Sequence, residues 1–335
     1  MKAVEFNAFG EPGDVLKVCE KPDPRPGPGE VRVRMILSPI NPSDLLVVRG
    51  RYGVLPELPA TPGFEGVGIV DAIGPGLNLL GRAVMGKRVT VINHKGGNWA
   101  EYAVIPARQA RPVAADIPDE QVASFFVNPA TALAMVRHVL QVERGAWLLQ
   151  SAAGSELGRM IIRLGKNDGF KTINVVRRLE AKAQLEALGA DAVICSSEGP
   201  IDEQVKKLTG GEGVRYAIDP VGGETGTQVF KSLGTGGRML VYGTLTGEPL
   251  VVEARPLISR DCKLSGFWLG HWMRSRSIPQ SLRLFREIAD LMRNGVLTSQ
   301  IGPEFPIQSI TAAAAAAEIP GRAGKVLLRL APSSR

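Results

Sequence analysis

Residues 146–178 read AWLLQSAAGSELGRMIIRLGKNDGFKTINVVRR. An apolar run ends in a turn of small residues, a helical pattern follows, and a second apolar run closes on paired arginines. This order predicts the first half of a dinucleotide-binding βαβ unit. In such a unit the pyrophosphate rests on the helix N-terminus, where unsatisfied backbone N–H groups and the positive end of the dipole point at it. Ala152, Ser155 and Gly158 stand where the fingerprint glycines stand, and all three are small enough to admit a close ligand. The Ser155 hydroxyl adds a donor for a phosphate oxygen.

Arg177 follows Gly158 by nineteen residues, near the ~20 at which units that take NAD carry an acidic residue for the ribose diol. Two arginines there repel no phosphate and offer it forked donors. The expected cofactor is therefore NADPH. The other reading of Arg177 and Arg178 is a solvated strand end.

Around this segment the chain has 335 residues, 44% hydrophobic and 22% charged, enough for two domains with large cores. Its three cysteines, Cys19, Cys195 and Cys262, lie far apart. That spacing argues against a disulfide framework and a cysteine zinc site, and suits a reducing compartment. The opening MKAVEFNAFG has neither the apolar core of a signal peptide nor the composition of a transit peptide. The longest apolar stretch, residues 122–140, is broken by Asn128, Pro129, Arg137 and His138, so no membrane span is expected. Cytoplasm is the expected compartment.

The net charge is +7, and residues 273–293 hold Arg274, Arg276, Arg283, Arg286 and Arg293. Leu282, Phe285, Ile288, Ala289 and Met292 recur there at helical spacing, which predicts one packed face with the arginines in water. A second reading makes the arginines a docking face for an acyl carrier protein or the phosphates of coenzyme A. No aromatic–basic interleaving points to nucleic acid.

The first ~115 residues alternate strand-like runs with Pro/Gly turns, as in EVRVRMIL (30–37), GVGIVDAIG (66–74) and KRVTVI (87–92). From about Asp119 the rhythm is strand, helix, strand. Strands are expected at 146–151, 171–176, 190–194, 214–219, 238–243 and 263–268, with helices near 157–165, 180–188, 202–209 and 224–233. This predicts an α/β protein whose Rossmann domain is a doubly wound parallel sheet, spanning 120–270. The β domain comprises 1–119 and 271–335, closing with helices at 280–293 and 311–318 and a strand at 325–330. Insertion of one domain into the other predicts an active-site cleft between them.

The chain resembles the zinc-free members of the medium-chain dehydrogenase/reductase superfamily from end to end. The likeness rests on MKAVEF…FGEPG, PGPGEVRVR, NPSD (41–44), PGFEGVGIV (62–70), VRYAIDPVGG, GGRMLVYG and GKVLLRL. It implies a GroES-like β domain beside the Rossmann domain. Zinc alcohol dehydrogenases of that superfamily carry cysteine at the place of Asn41 and histidine at that of Phe64, so zinc is not expected here. NPSDLLVVRGRYG (41–53), NPATA (128–132), TINVVR (172–177) and SGFWLGHW (265–272) look most like 2-enoyl thioester reductases. Quinone oxidoreductases are the next nearest.

That likeness makes Tyr52 the catalytic residue, puts Trp268 at the nicotinamide pocket, and lets Asn41 orient substrate or the Tyr52 loop. It implies that Asn128 and Thr131 meet nicotinamide and ribose. Gly154, Ser155, Glu156, Leu157 and Gly158 meet the pyrophosphate, and Arg177 and Arg178 the adenosine phosphate. Tyr242, Gly243, Phe267, Trp268 and Leu269 meet the nicotinamide end, and Lys325 the cofactor. Dimerisation through the last Rossmann strand is implied as well. Glu156 departs from the small residue of relatives; unless it turns outward, its carboxylate repels phosphate and Glu156→Gly tightens NADPH binding.

The expected reaction is NADPH-dependent reduction of the C=C bond of a 2-enoyl-CoA or acyl-carrier-protein thioester. Hydride goes to the β-carbon and a proton to the α-carbon, with Tyr52 as the phenolic donor, since a phenol stays protonated at neutral pH. Tyr52 as a loop tyrosine at the rim and Trp268 as a core residue are the alternatives. A quinone or enone reductase, and an NADPH-binding sensor without turnover, remain the rival functions.

Overall fold

The structure is a computed structural model and describes residues 1–76 and 78–330. It divides into two compact units: Met1–Val127 with the chain from Thr298 onward, and Asn128–Leu297. The boundaries fall later than the expected 119/120 and 270/271, for reasons visible in the contacts. Gln121 Nε2 donates to Ser299 O at 2.8 Å and Gln121 Oε1 accepts from Ser299 N at 2.9 Å, tying the helix Asp119–Ala123 to the first unit. Arg163 Nε donates to Val296 O at 2.8 Å, and Arg137 pairs with both Asp168 and Glu287. These bonds hold residues 271–297 in the second unit.

In the first unit, the alternation of EVRVRMIL becomes the central strand Glu30–Pro39. Val31, Val33 and Met35 point into the core, while Arg32 pairs outside with Asp71 at 3.0 and 3.1 Å. Its sheet runs Ile301–Pro306, Lys325–Arg329, Glu30–Pro39, Glu65–Ile73, Arg88–Ile92, Ala110–Pro112, with Tyr102–Pro106 also on Glu30–Pro39. All neighbours are antiparallel except the first pair. Trp99 is fully buried in this core, and a side chain at Gly63 (φ +102°) would meet its ring at 2.5 Å. Glycine is required there.

The second unit holds six strands: β1 (Trp147–Gln150), β2 (Lys171–Val176), β3 (Ala192–Cys195), β4 (Val214–Asp219), β5 (Leu233–Val241) and β6 (Lys263–Gly266). They pair in the order β3-β2-β1-β4-β5-β6, every neighbour parallel. This is the expected doubly wound sheet, with its order reversing between β1 and β4. Parallel strands are covered on both faces, so β2 and β4 are buried along their length apart from Lys171 and Arg215, rather than alternating. The helix Ile278–Arg293 departs in its face. Leu284, Ile288, Leu291 and Met292 are buried, whereas Leu282, expected on the packed side, is exposed. Arg283, Arg286 and Arg293 face solvent as expected.

Candidate active site

The turn between β1 and the helix Glu156–Asp168 has the shape its small residues predict. Ala152 adopts φ +49°, and Ser155 N donates to Ala152 O at 2.9 Å. Ser155 is the N-cap: its Oγ accepts from Gly158 N at 3.1 Å, leaving its own O–H to donate. A Cβ on Gly158 would lie 2.5 Å from Ala153 O, so that glycine sets the close approach of helix to turn, while Gly154 is exposed with open space where a Cβ would stand.

Leu157 and Glu156 are buried, and Glu156, which the sequence left with an outward turn as its escape, is only 9% exposed. Its charge acts on Arg163, two turns along the same helix.

Arg177, Arg178, Tyr242, Gly243, Phe267 and Trp268 follow the carboxyl ends of strands of the parallel sheet. Arg177 and Arg178 follow β2, both exposed, and among the described residues neither side chain has a hydrogen-bond or ion-pair partner. Tyr242 N donates to Asp219 O (3.0 Å), Phe267 N to Val241 O (2.7 Å), and Gly243 passes so close to Pro220 that a Cβ would meet its carbonyl at 2.9 Å. Trp268, expected to end a strand, lies beyond β6 as the N-cap of the helix Leu269–Arg274. It is 37% exposed, with the Arg274 guanidinium 5.3 Å from its ring centroid. That places it outside the core.

Asn128 and Thr131 lie on the helix Val127–Leu133, half-buried and buried respectively. Trp272, half-buried, sets its ring at a tilt to that of His138 (centroids 5.5 Å apart) and under the Arg276 guanidinium (4.7 Å), and burial lowers the His138 pKa.

Sequence reasoning assigned no role to Ser151 and Asp219. Both are fully buried at the reversal between β1 and β4, where Ser151 Oγ donates to Asp219 Oδ1 and Gly222 N to Asp219 Oδ2 at 2.8 Å. Burial raises the Asp219 pKa against these bonds. An aspartate closing an apolar strand was the available signal.

Tyr52, Asn41 and Lys325 belong to the first unit. Tyr52 follows the helix Pro42–Val48 and packs its half-buried ring against Phe64, centroids 5.4 Å apart. Phe64 in turn lines a cavity of about 420 Å³ with Val47, Val54, Leu55, Pro56 and Pro62, and His94 and Lys95 join the lining. Asp44 borders it too. Its oxygens accept from Asn41 N (2.8 Å) and Phe64 N (3.0 Å).

Asn41 is 1% exposed. Its Nδ2 donates to Glu65 Oε1 at 3.0 Å and its Oδ1 accepts from the buried Lys325 Nζ. Lys325, expected on the cofactor, thus directs its ammonium into this network. Asp44 and Glu65 share the enclosure with one cation. Burial drives the Asp44 pKa to about 7, with repulsion from Glu65 adding to it, and burial also raises Glu65, opposed by Lys325 and by its N–H donors. A divalent zinc does not fit these residues, because an aromatic ring stands at 64 and an ammonium already occupies the Asn41 oxygen.

Family models describe the same two parts. An alcohol dehydrogenase GroES-like domain matches residues 27–118 and a zinc-binding dehydrogenase domain matches residues 157–287. Human mitochondrial enoyl-[acyl-carrier-protein] reductase is 33% identical over 334 residues, covering 98% of this chain and 89% of that protein. The chain belongs to the medium-chain dehydrogenase/reductase superfamily.

Two solved structures of this superfamily overlay it closely. Escherichia coli quinone oxidoreductase complexed with NADPH has a TM-score of 0.89 at 25% identity, covering 98% of this chain and 100% of that one. The Etr1p complex with NADP and crotonyl-CoA has a TM-score of 0.82 at 25% identity, covering 98% and 99%. As a medium-chain dehydrogenase/reductase the chain is an oxidoreductase. Its zinc-binding family label does not extend to the residues at 41 and 64.

Proposed function

We propose that this medium-chain reductase uses NADPH to reduce the C=C bond of 2-enoyl thioesters carried on coenzyme A or an acyl carrier protein. The observation that carries the thioester reading is the packing of Tyr52 on Phe64 at the wall of the apolar cavity. A volume of about 420 Å³ lies within the range of small-molecule sites, and Val47, Leu55, Pro56, Pro62 and Phe64 give an aliphatic tail apolar walls, with Phe64 joining the cavity to the phenol. The names of the human relative and of the crotonyl-CoA complex point the same way.

NADPH, when bound, supplies the hydride that adds to the β-carbon. Ser155, Gly154 and Gly158 shape the pyrophosphate turn, with Glu156 and Leu157 in its first helical residues. Arg177 and Arg178 take the adenosine phosphate. Asn128, Thr131, Tyr242, Gly243, Phe267, Trp268 and Leu269 surround the nicotinamide end. As hydride reaches the β-carbon, the C=C pair becomes the π bond between the α-carbon and the carbonyl carbon, and the carbonyl pair moves onto the thioester oxygen; the Tyr52 O–H either donates a hydrogen bond to that oxygen while a solvent proton reaches the α-carbon, or itself protonates the α-carbon. Asn41 and Lys325 support the Tyr52 side of the site from the buried network. β6 is the last strand of its sheet, and two copies joined along it make the homodimer of this reading. A reducing cytoplasm suits its three free cysteines.

The test is a steady-state screen of trans-2-enoyl-CoAs of four to ten carbons beside benzoquinone, each with NADPH and NADH. Enoyl-CoA reduction with NADPH exceeding quinone reduction is expected. Quinone turnover alone would transfer the reading to a quinone oxidoreductase. NADPH binding without any oxidation would make the protein a sensor.

A further inference from the structure

Glu65 opens the strand Glu65–Ile73, yet its carboxylate serves a helix. Oε2 accepts from both Phe126 N (3.0 Å) and Val127 N (2.9 Å), the donors that open the helix Val127–Leu133. Oε1 accepts from Asn41 Nδ2, whose amide oxygen is held by Lys325. Glu65, Asn41 and Lys325 are each 1% exposed. Helix N-termini leave donors without partners, and a buried carboxylate that binds two of them fixes the first turn more firmly than a neutral cap. Each charge is compensated only while the whole chain stays assembled, because a buried ion that loses its partner is costly.

We propose that Glu65 is a positioning residue for hydride transfer. Anchored through Asn41 by Lys325, it caps the helix Val127–Leu133 and so fixes Asn128 and Thr131. This rests on the reading above that those two residues meet the nicotinamide and ribose. Glu65 touches neither substrate nor cofactor and works through the helix. A misplacement of about 1 Å at a reacting centre can cost on the order of a hundredfold in rate.

Two variants test it: Glu65→Gln, and the charge-neutral pair Glu65→Leu/Lys325→Met, which leaves no lone buried ammonium. Asn128→Ala and the combined Glu65→Gln/Asn128→Ala complete a double-mutant cycle. Thermal melts first establish that each variant is folded. The readouts are single-turnover oxidation of NADPH and the kinetic isotope effect with C4-deuterated NADPH.

The expected result is transfer slowed roughly ten- to a hundredfold in both Glu65 variants, a larger isotope effect, and acceptor KM nearly unchanged. The combined variant should be little worse than the worse single one, since both act through one helix. Wild-type transfer in folded Glu65 variants, or effects that simply multiply in the combined variant, would overturn the proposal. If Asn128→Ala itself leaves transfer unchanged, the assignment of the nicotinamide contact fails instead, and with it the route by which Glu65 was to act.

Discussion

Ser151 Oγ donates to Asp219 Oδ1 across the two strands between which the parallel sheet reverses its order. Both residues are fully buried, so removing the hydroxyl strips a charged acceptor of one donor where water cannot replace it. Ser151→Ala should lower stability by about 1–3 kcal/mol. Urea unfolding of the variant checks this; an unchanged midpoint at an unchanged slope would show that the bond contributes nothing.

Tyr52→Phe removes one oxygen from a ring whose packing against Phe64 survives the change. If the phenol is the proton donor, turnover should fall by ~10²–10⁴ while NADPH binding holds. Steady-state kinetics with the best acceptor separate the two quantities, and undiminished kcat would return Tyr52 to a packing role.

Arg177 and Arg178 are exposed, so their hold on a phosphate should weaken with salt. Replacing both with alanine is expected to loosen NADPH by roughly a hundredfold, two charge-assisted hydrogen bonds' worth, and to leave NADH nearly untouched. Fluorescence titration with the two dinucleotides measures it. Equal loss for both would locate the adenosine phosphate elsewhere.

Asp44 sets a pH dependence of known sign. Its carboxyl titrates near pH 7 in the folded protein and near 3.9 in an unfolded chain, so the folded state binds the extra proton between those values. Stability contributed by this group therefore declines as pH rises from about 4 to 7, by up to ~1.4 kcal/mol per unit, and levels off above that. Glu65, also raised by burial, acts in the same direction. Denaturant midpoints from pH 4.5 to 8 should show a shallower decline for Asp44→Asn than for the wild type, and parallel curves would refute the assignment.

The parallel sheet was legible in the sequence because its signal is local. Apolar runs such as TINVV and VRYAID, separated by helix-length polar-faced segments, admit few other folds, and the observed strands lie within a few residues of those expected. The position of the paired arginines directly after β2 was legible for the same reason.

The buried ionic network was not. Glu65 and Asp44 stood inside quoted motifs, yet nothing local shows that Lys325, far along the chain, sits with them through Asn41. Such partners are set by tertiary structure. The fate of Glu156 was likewise hidden, since a residue's first-turn position does not say which way its side chain leaves the helix. The outer boundary slipped because residues 271–297, rich in arginine, resemble a surface segment until Arg137 and Arg163 are seen to bind them.

Ala152 holds a left-handed backbone at φ +49°, a conformation that costs a residue with a Cβ about 1–2 kcal/mol. The loop therefore keeps its curve by what surrounds it, including the bond from Ala153 N to Val175 O, and not by the inclination of its own residues. A pattern search that insists on three glycines would pass this chain over, although its backbone traces the bend those glycines usually make.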